Sequence, residues 1–346
     1  MLFVLESRVR ESIEILKDAS RSYSLPWALG FSGGKDSTTA LSLTLKAKEE
    51  GAEISKLYVI YADTMLEHPF LRKKSLEALE RLKAFEWVEP VVVKAREGED
   101  FISMMVDKGY PAPSIFNRWC MARLKIYPAR RFLRQIGKRV MVLGVRSDES
   151  ARRKATVGTE PLIVKRNEID VRPLIKWTKF DVFEYLLNEK RWDGKSFDYV
   201  FELYGEECGF NPDVPCGTSD ARFGCWVCTL INQEKMPVSE NLKKVRAGLK
   251  EISSKRENRI IDANGNPRRL NLEGRKKVAE LFLEALKKEP EAFGYDVVAL
   301  KNKLETFLKD AQEKDPFPLR FPPFVKGSKF FKERPHAFGS FFALAH

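Results

Sequence analysis

The sequence predicts an α/β fold: a mostly parallel sheet flanked by helices, with a small α-rich part appended behind it. Three observations carry this expectation. Short apolar runs alternate with helix-compatible stretches along the first part of the chain, the pattern of a parallel sheet with crossover helices. The first of those runs breaks into a glycine turn that opens a helix, Leu29-Gly30-Phe31-Ser32-Gly33-Gly34-Lys35-Asp36-Ser37-Thr38. After residue 235 the texture changes to basic helical segments.

Taken in order, Leu5, Val9, Ile13 and Leu16 recur every three or four residues and predict an amphipathic helix over 2–23. A strand follows at 27–31, then a helix from Asp36 to Glu50 with Gly51 as its stop. Ile54 to Tyr61 reads as a buried strand ending in Ala62-Asp63-Thr64, Glu67 to Phe85 as a helix, and Trp87 to Val93 as a third strand. Phe101 to Val106 reads as helical, Gly109-Tyr110-Pro111-Ala112-Pro113 as a rigid loop, and a helix carries Arg130, Arg131 and Arg134. Val140 to Val145 is a fourth strand, opening into Gly144-Val145-Arg146-Ser147-Asp148-Glu149-Ser150. Ile163 to Val171 reads as a hairpin turning at Arg166-Asn167, and Thr178 with Asp181 caps a helix running to Leu187. Trp192 to Phe210 is less regular. Beyond it, Leu242–Arg259, Leu272–Lys288 and Val297–Ala311 read as helices, with a turn at Asp262 to Pro267. The expected organisation is a nucleotide-binding domain with a cysteine region over 1–235, a basic α-rich domain over 236–315 and a Phe-, Pro- and Lys-rich tail over 316–346.

The glycine turn has a chemical meaning. A helix start presents unpaired N–H groups and about +0.5 of dipolar charge, which favours a phosphate. Ser32, Ser37 and Thr38 add hydroxyls, and Gly33 and Gly34 let the backbone approach a ligand closely. The turn is not a Walker P-loop, whose first glycine and last Ser/Thr would fall on Leu29 and Asp36. In parallel sheets ligands lie at the carboxyl ends of the strands; those ends carry Ser32, Asp63 and Arg146. Arg146, two residues after Gly144, is placed to reach a phosphate held by the first turn, the alternative being a surface ion pair with Glu149. Lys35 is a counter-charge or simply exposed.

The 346 residues are 43% hydrophobic and 32% charged, with a formal net charge of +12. Such a basic chain suggests a polyanionic partner, nucleic acid first, or else a generally Lys-rich surface. The longest apolar runs fall far below the ~20 residues of a membrane span, and the charged residues directly behind the first apolar run argue against a signal peptide; a cytoplasmic protein with no membrane association is expected. No internal repeat is found.

The five cysteines are Cys120, Cys208, Cys216, Cys225 and Cys228. Cys225-x-x-Cys228 has metal-ligand spacing, Cys216 stands just upstream, and Cys120 adjoins the α/β core. Four thiolates suit either tetrahedral zinc or a [4Fe–4S] cluster. Trp226, Phe223 and Arg222 would shield such a centre. Cys208 is left over and reads as a core or supporting residue.

The turn resembles the PP-loop, Ser-Gly-Gly-x-Asp-Ser, of the ATP pyrophosphatases and phosphoadenosine phosphosulfate reductases. More of the chain carries a closer resemblance. Together with the turn, the segments Asp63-Thr64, Glu67-His68-Pro69, Gly109 to Pro113, Arg118-Trp119-Cys120, Arg123 to Ile126, Gly144-x-Arg146-x-x-Glu149-Ser150 and Cys216 to Cys228 resemble the DndC-type proteins of DNA phosphorothioate modification. Met121-Ala122 stand where that family usually has Thr-Asp, and the tail is unlike it.

The resemblance implies an adenine-nucleotide α-hydrolase-like (Rossmann-like) fold and an ATP pyrophosphatase/sulfurtransferase that activates a DNA backbone phosphate by adenylation. It implies ATP with Mg²⁺ as cofactors and a [4Fe–4S] cluster on Cys120, Cys216, Cys225 and Cys228. Its implied partners are nucleic acid (DNA before RNA), a cysteine desulfurase and other DNA-modification proteins. In this reading Ser32, Gly33, Gly34, Asp36, Ser37 and Thr38 hold the ATP phosphates, with Asp63 and Gly144 beside them, and Lys35, Asp36 and Arg146 act in catalysis. Three alternatives are a phosphoadenylyl- or adenylyl-sulfate reductase, a tRNA thiolase and a non-catalytic nucleic-acid-binding relative. Against reduction, no cysteine follows Cys228 and Cys120 has no adjacent cysteine.

Overall fold

The computed structural model describes residues 2–147, 158–204, 224–230 and 238–318. Helix α1 (Leu2–Ser22) lays Leu5, Ile13 and Leu16 into the core and packs along α2. Strand β1 (Trp27–Gly30) leads through the glycine turn into α2 (Lys35–Glu49). Then come β2 (Leu57–Ala62), α3 (Pro69–Leu82), β3 (Val88–Val93) and α4 (Phe101–Val106). A π-helical turn over Met121–Ile126 runs without a break into α5 (Tyr127–Ile136), and β4 (Arg139–Val142) follows.

Among the described residues the main sheet has six strands in the order β3-β2-β1-β4-β6-β5. The central pairings are parallel; Leu29 of β1 lies opposite Val59 on one side and Val142 on the other. Strand β5 (Leu162–Val164) pairs antiparallel with β6 (Glu168–Val171), the expected hairpin. Its second strand also runs parallel to β4, so the hairpin extends the main sheet. The succession of β1 reverses direction across the sheet between β1 and β4: β2 and β3 lie on one side, β4 on the other. Such a switch point opens a crevice at the carboxyl ends of the two strands. The glycine turn leaves β1 there, and Gly144 to Arg146 leave β4 there.

Beyond the sheet, Thr178 and Asp181 form a reciprocal capping box on α6 (Lys179–Asn188). A short helix, α7 (Asp198–Tyr204), occupies part of the stretch expected to be irregular. The C-terminal part comprises α8 (Glu240–Ser254), the hairpin β7 (Arg259–Ile261) with β8 (Pro267–Leu270), α9 (Leu272–Lys288) and α10 (Val297–Glu313). These helices share one core with α4, Leu66, Trp119, Leu124, Trp226 and Val227. That core draws buried residues from both sides of residue 235. Arg275 shows how. Fully buried, its guanidinium donates to the Val106 carbonyl at 2.7 Å, pairs with Asp315 and lies over the Phe307 ring.

No helix among the described residues is long and apolar enough to cross a membrane. Asp148, Glu149, Ser150, Cys208, Cys216, Arg222, Phe223 and the tail beyond residue 318 lie outside the described residues.

Candidate active site

The glycine turn is held together by its own serines, the Gly34 N–H donating to Ser32 Oγ at 3.4 Å. Gly34 is the extended residue ahead of α2, and no side chain caps that helix, so its first-turn N–H groups are left for a ligand to satisfy. Inside the turn the Ser32 and Ser37 hydroxyls are 3.0 Å apart, the Ser32 N–H donates to Ser37 Oγ and the Ser37 hydroxyl donates to the Gly34 carbonyl. Gly33 has φ +74°, and a Cβ there would lie 1.9 Å from Ser75 Oγ on α3. Two constraints, conformation and space, thus require glycine at the same position. Thr38 points inward, its hydroxyl 3.2 Å from that of Tyr199 on α7.

Asp36 lies between two cations. Lys35 Nζ donates to one carboxylate oxygen at 2.9 Å and Arg146 Nε to the other at 2.8 Å. Arg146 is only 4% exposed, and Glu149, its alternative partner, lies outside the described residues. The close approach depends on Gly144, where a Cβ would stand 2.8 Å from the Asp36 carbonyl oxygen. The loop after β4 is therefore pressed against the first turn of α2. Two cations, one carboxylate and a helix N-terminus leave the crevice electropositive, as an anion requires.

Asp63, at the end of β2, is 1% exposed. One of its oxygens accepts from the Met65 N–H and Arg72 Nε, the other from Arg72 Nη2 with Lys94 close by. Burial opposes its ionisation, yet the Arg72 pairing outweighs burial and holds the carboxyl below the usual carboxylate range. Asp63 thus shapes the turn at Met65, a non-glycine residue with φ +64°. Its carboxylate is fully engaged within the protein.

The same strand end leads to the cysteines. Residues 224–226 run antiparallel to 66–68: the Trp226 N–H donates to the Leu66 carbonyl, the His68 N–H donates to the Gly224 carbonyl, and Glu67 bridges Cys225. Thr64 Oγ1 and Cys225 Sγ are 3.2 Å apart. Burial, then the neighbouring Cys228, pushes the Cys120 thiol up to about 11; burial pushes Cys225 up to about 12 against the opposing charge of Lys125. Three cysteines of the expected set are therefore electrostatic neighbours, and a cation bound among them would have to displace protons. Among the described residues no group of three or more His, Cys, Asp or Glu side chains is arranged to hold a metal ion by itself. The expected fourth ligand, Cys216, lies outside the described residues.

Sequence reasoning missed the ionic support of this region. Buried Glu67 accepts from the Tyr61 hydroxyl and lies 3.5 Å from Lys125 Nζ. Burial raises the Glu67 carboxyl; burial would lower Lys125, but Glu67 and the nearby thiols raise it. Glu67 and Lys125 are remote in the chain, and no spacing announces their meeting. Arg72, the partner of Asp63, carried no signal either.

A Ser-Gly-Gly turn opening a helix at a sheet switch point, beside an arginine from the loop after the neighbouring strand, is the arrangement of the PP-loop class. The chain belongs to the phosphoadenosine phosphosulfate reductase domain family, whose model matches residues 26–230. It is similar to the uncharacterized protein MJ0066 of Methanocaldococcus jannaschii, 28% identical over 216 residues that make up 62% of this chain and 42% of that protein. The uncharacterized protein MJ0973 of the same organism is 26% identical over 244 residues, 68% of this chain and 50% of the relative. The chain spans about half the length of the curated relatives it matches. Among solved structures, a phosphoadenylyl-sulfate reductase from Candida auris in a phosphate complex aligns with a TM-score of 0.39 at 15% identity, covering 53% of this chain and 83% of that one. An FMN adenylyltransferase from Candida glabrata, in complex with FAD and inorganic pyrophosphate, aligns with a TM-score of 0.37 at 14% identity, covering 54% and 57%.

Proposed function

We propose that this protein cleaves ATP between its α and β phosphates to activate a backbone phosphate of nucleic acid, DNA before RNA, for sulfur insertion. The observation that carries the reading is the junction of two half-sites. The glycine turn follows β1, the Thr64–Cys225 contact follows β2, and these strands are neighbours in one parallel sheet.

In this reading the N–H groups of Gly33 and Gly34 and of the first turn of α2, with the Ser32 and Ser37 hydroxyls, hold the triphosphate, while the expected contact from Thr38 is ruled out because its hydroxyl is buried against Tyr199. Mg²⁺ arrives with the nucleotide. Lys35 and Arg146 oppose the charge that grows on the leaving pyrophosphate, and Asp36 holds both cations in position. Gly144 keeps the Arg146 loop close enough to do so. A non-bridging oxygen of the target phosphate attacks the α-phosphorus, the bond to the β-phosphate oxygen breaks, and pyrophosphate leaves. The target oxygen then departs with AMP when a sulfide-level sulfur nucleophile, released from a cysteine desulfurase persulfide by a two-electron thiol reductant, attacks the target phosphorus. Activation is needed because an unmodified phosphate oxygen is a poor leaving group.

Cys120, Cys225 and Cys228, with Cys216, would hold a [4Fe–4S] cluster; the thiol donor set suits it, and Trp119 and Trp226 bury its surroundings. Bound there, the cluster supplies redox-active, sulfur-bridged iron. Thr64 and Lys125 are placed to orient and charge-balance the thiolates.

The test is ATP turnover by anaerobically purified full chain with and without DNA. AMP and pyrophosphate are the expected products, with about four iron and four sulfide per chain. ADP and phosphate as products would overturn the ATP chemistry. A colourless zinc protein would overturn the cluster.

A further inference from the structure

We propose that the turn from Ser114 to Asn117 is a wedge that enters a nucleic-acid duplex and unstacks a base step beside the cysteines. The proposal rests on the reading above that nucleic acid is the substrate, and it names the element that engages it.

Phe116 is 98% exposed and its neighbour Ile115 69%, the two most exposed large apolar side chains among the described residues. They stand at the tip of a stiff turn. Ser114 and Asn117 exchange backbone hydrogen bonds in both directions, at 3.1 and 3.0 Å, and the Asn117 N–H also reaches Ser114 Oγ. The base of the turn is tied down as well. The Thr229 hydroxyl donates to the Pro113 carbonyl, and Trp119 Nε1 donates to the Pro111 carbonyl at 2.8 Å. An apolar ring held outward on a fixed backbone has already lost the freedom that binding would otherwise cost.

Charge selects the occupant. From Lys108 to Ser147 the chain holds ten Lys or Arg residues and no Asp or Glu, against a net charge of +12 for the whole protein. Arg118 follows the tip directly, and Arg134 and Lys138, at and beyond the end of α5, are exposed. Four of the ten meet acids brought from elsewhere in the fold, Arg123 with Glu99, Lys125 with Glu67, Arg139 with Glu168 and Arg146 with Asp36, and the remaining cations together with an exposed phenylalanine fit a polyanion with stackable bases. Proteins that kink duplexes insert Phe, Ile or Leu between base pairs while basic side chains hold the flanking phosphates. The position is apt, because Cys120 lies just beyond the tip in the chain and Thr229 adjoins Cys228. A kink made here would present a backbone phosphate next to the cysteines.

The experiment uses the full chain and a DNA duplex carrying 2-aminopurine, whose fluorescence rises when its stacking is broken. Wild type is expected to bind and brighten the probe severalfold. Phe116→Ala is expected to bind with little loss of affinity and leave the probe dark, while Phe116→Trp restores the signal. Arg134→Ala is expected to keep the brightening at saturation and to reduce the slope of log affinity against log salt by about one. Brightening by Phe116→Ala equal to wild type overturns the wedge and leaves the nucleic-acid reading standing. A dark probe with bound wild type does the same, and points the exposed tip toward a protein partner. Failure of wild type to bind any duplex overturns both.

Discussion

Arg146 Nε donates to Asp36 Oδ1 across 2.8 Å, joining the loop after β4 to the first turn of the helix after β1. The bond spans the switch point of the sheet. It places a buried guanidinium beside the first turn of α2, and it couples two elements that local sequence leaves independent. Replacing Arg146 by Ala is expected to cut pyrophosphate release by about 10²-fold or more, the usual effect of removing one preorganised charge-stabilising donor. Arg146→Lys is expected to recover little, since an ammonium cannot reproduce the planar fork. Steady-state pyrophosphate release, read beside circular dichroism, checks both.

Gly33 separates conformation from space. Gly33→Ala is expected to lower the thermal midpoint and abolish ATP binding, because the new methyl meets Ser75 Oγ at 1.9 Å and the residue keeps φ +74°. Adding Ser75→Gly removes the nearest clash but leaves the left-handed backbone, which costs about 1–3 kcal/mol. The double variant should therefore recover part of the stability. Full recovery would show that space alone selects glycine.

The Asp63–Arg72 pair predicts an acid limb of stability. The folded carboxyl titrates below its unfolded value, near 3.9. The folded state thus binds fewer protons than the unfolded chain in that range. Its stabilisation is present above the unfolded value and is lost as the pH falls through the folded one. Urea midpoints taken from about pH 6 down to about pH 2.5 should fall less steeply for Asp63→Asn than for wild type. Parallel slopes would remove the assignment.

Arg275 fastens the C-terminal helices to α4. Arg275→Ala leaves the Val106 carbonyl and Asp315 without this partner and opens space beneath Phe307. The expected loss is about 3–5 kcal/mol, that of breaking a buried ion pair, read as a drop in the denaturant midpoint. Arg275→Lys should remain well below wild type because one ammonium cannot serve both acceptors in the same geometry.

The local features of this protein are legible in its sequence because they are set by neighbours in the chain. The alternation of apolar runs and helices, the Ser32-Gly33-Gly34 turn, the Thr178 capping box and the Cys225–Cys228 spacing all depend on contacts within a few residues. Family membership follows from the same stretches. The pairings that make a site do not. Asp36 meets Arg146 because neighbouring parallel strands bring their carboxyl ends together, Asp63 meets Arg72 where the turn after β2 folds α3 back on it, and Glu67 meets Lys125 from the π-helical turn. The attachment of β6 to β4 and the merging of the C-terminal helices into the α4 core are likewise decided by which buried faces find each other. Hydrophobic periodicity states that a face will be buried, not against what. Which residues share the crevice is a property of sheet order, and sheet order is settled only when the whole chain packs.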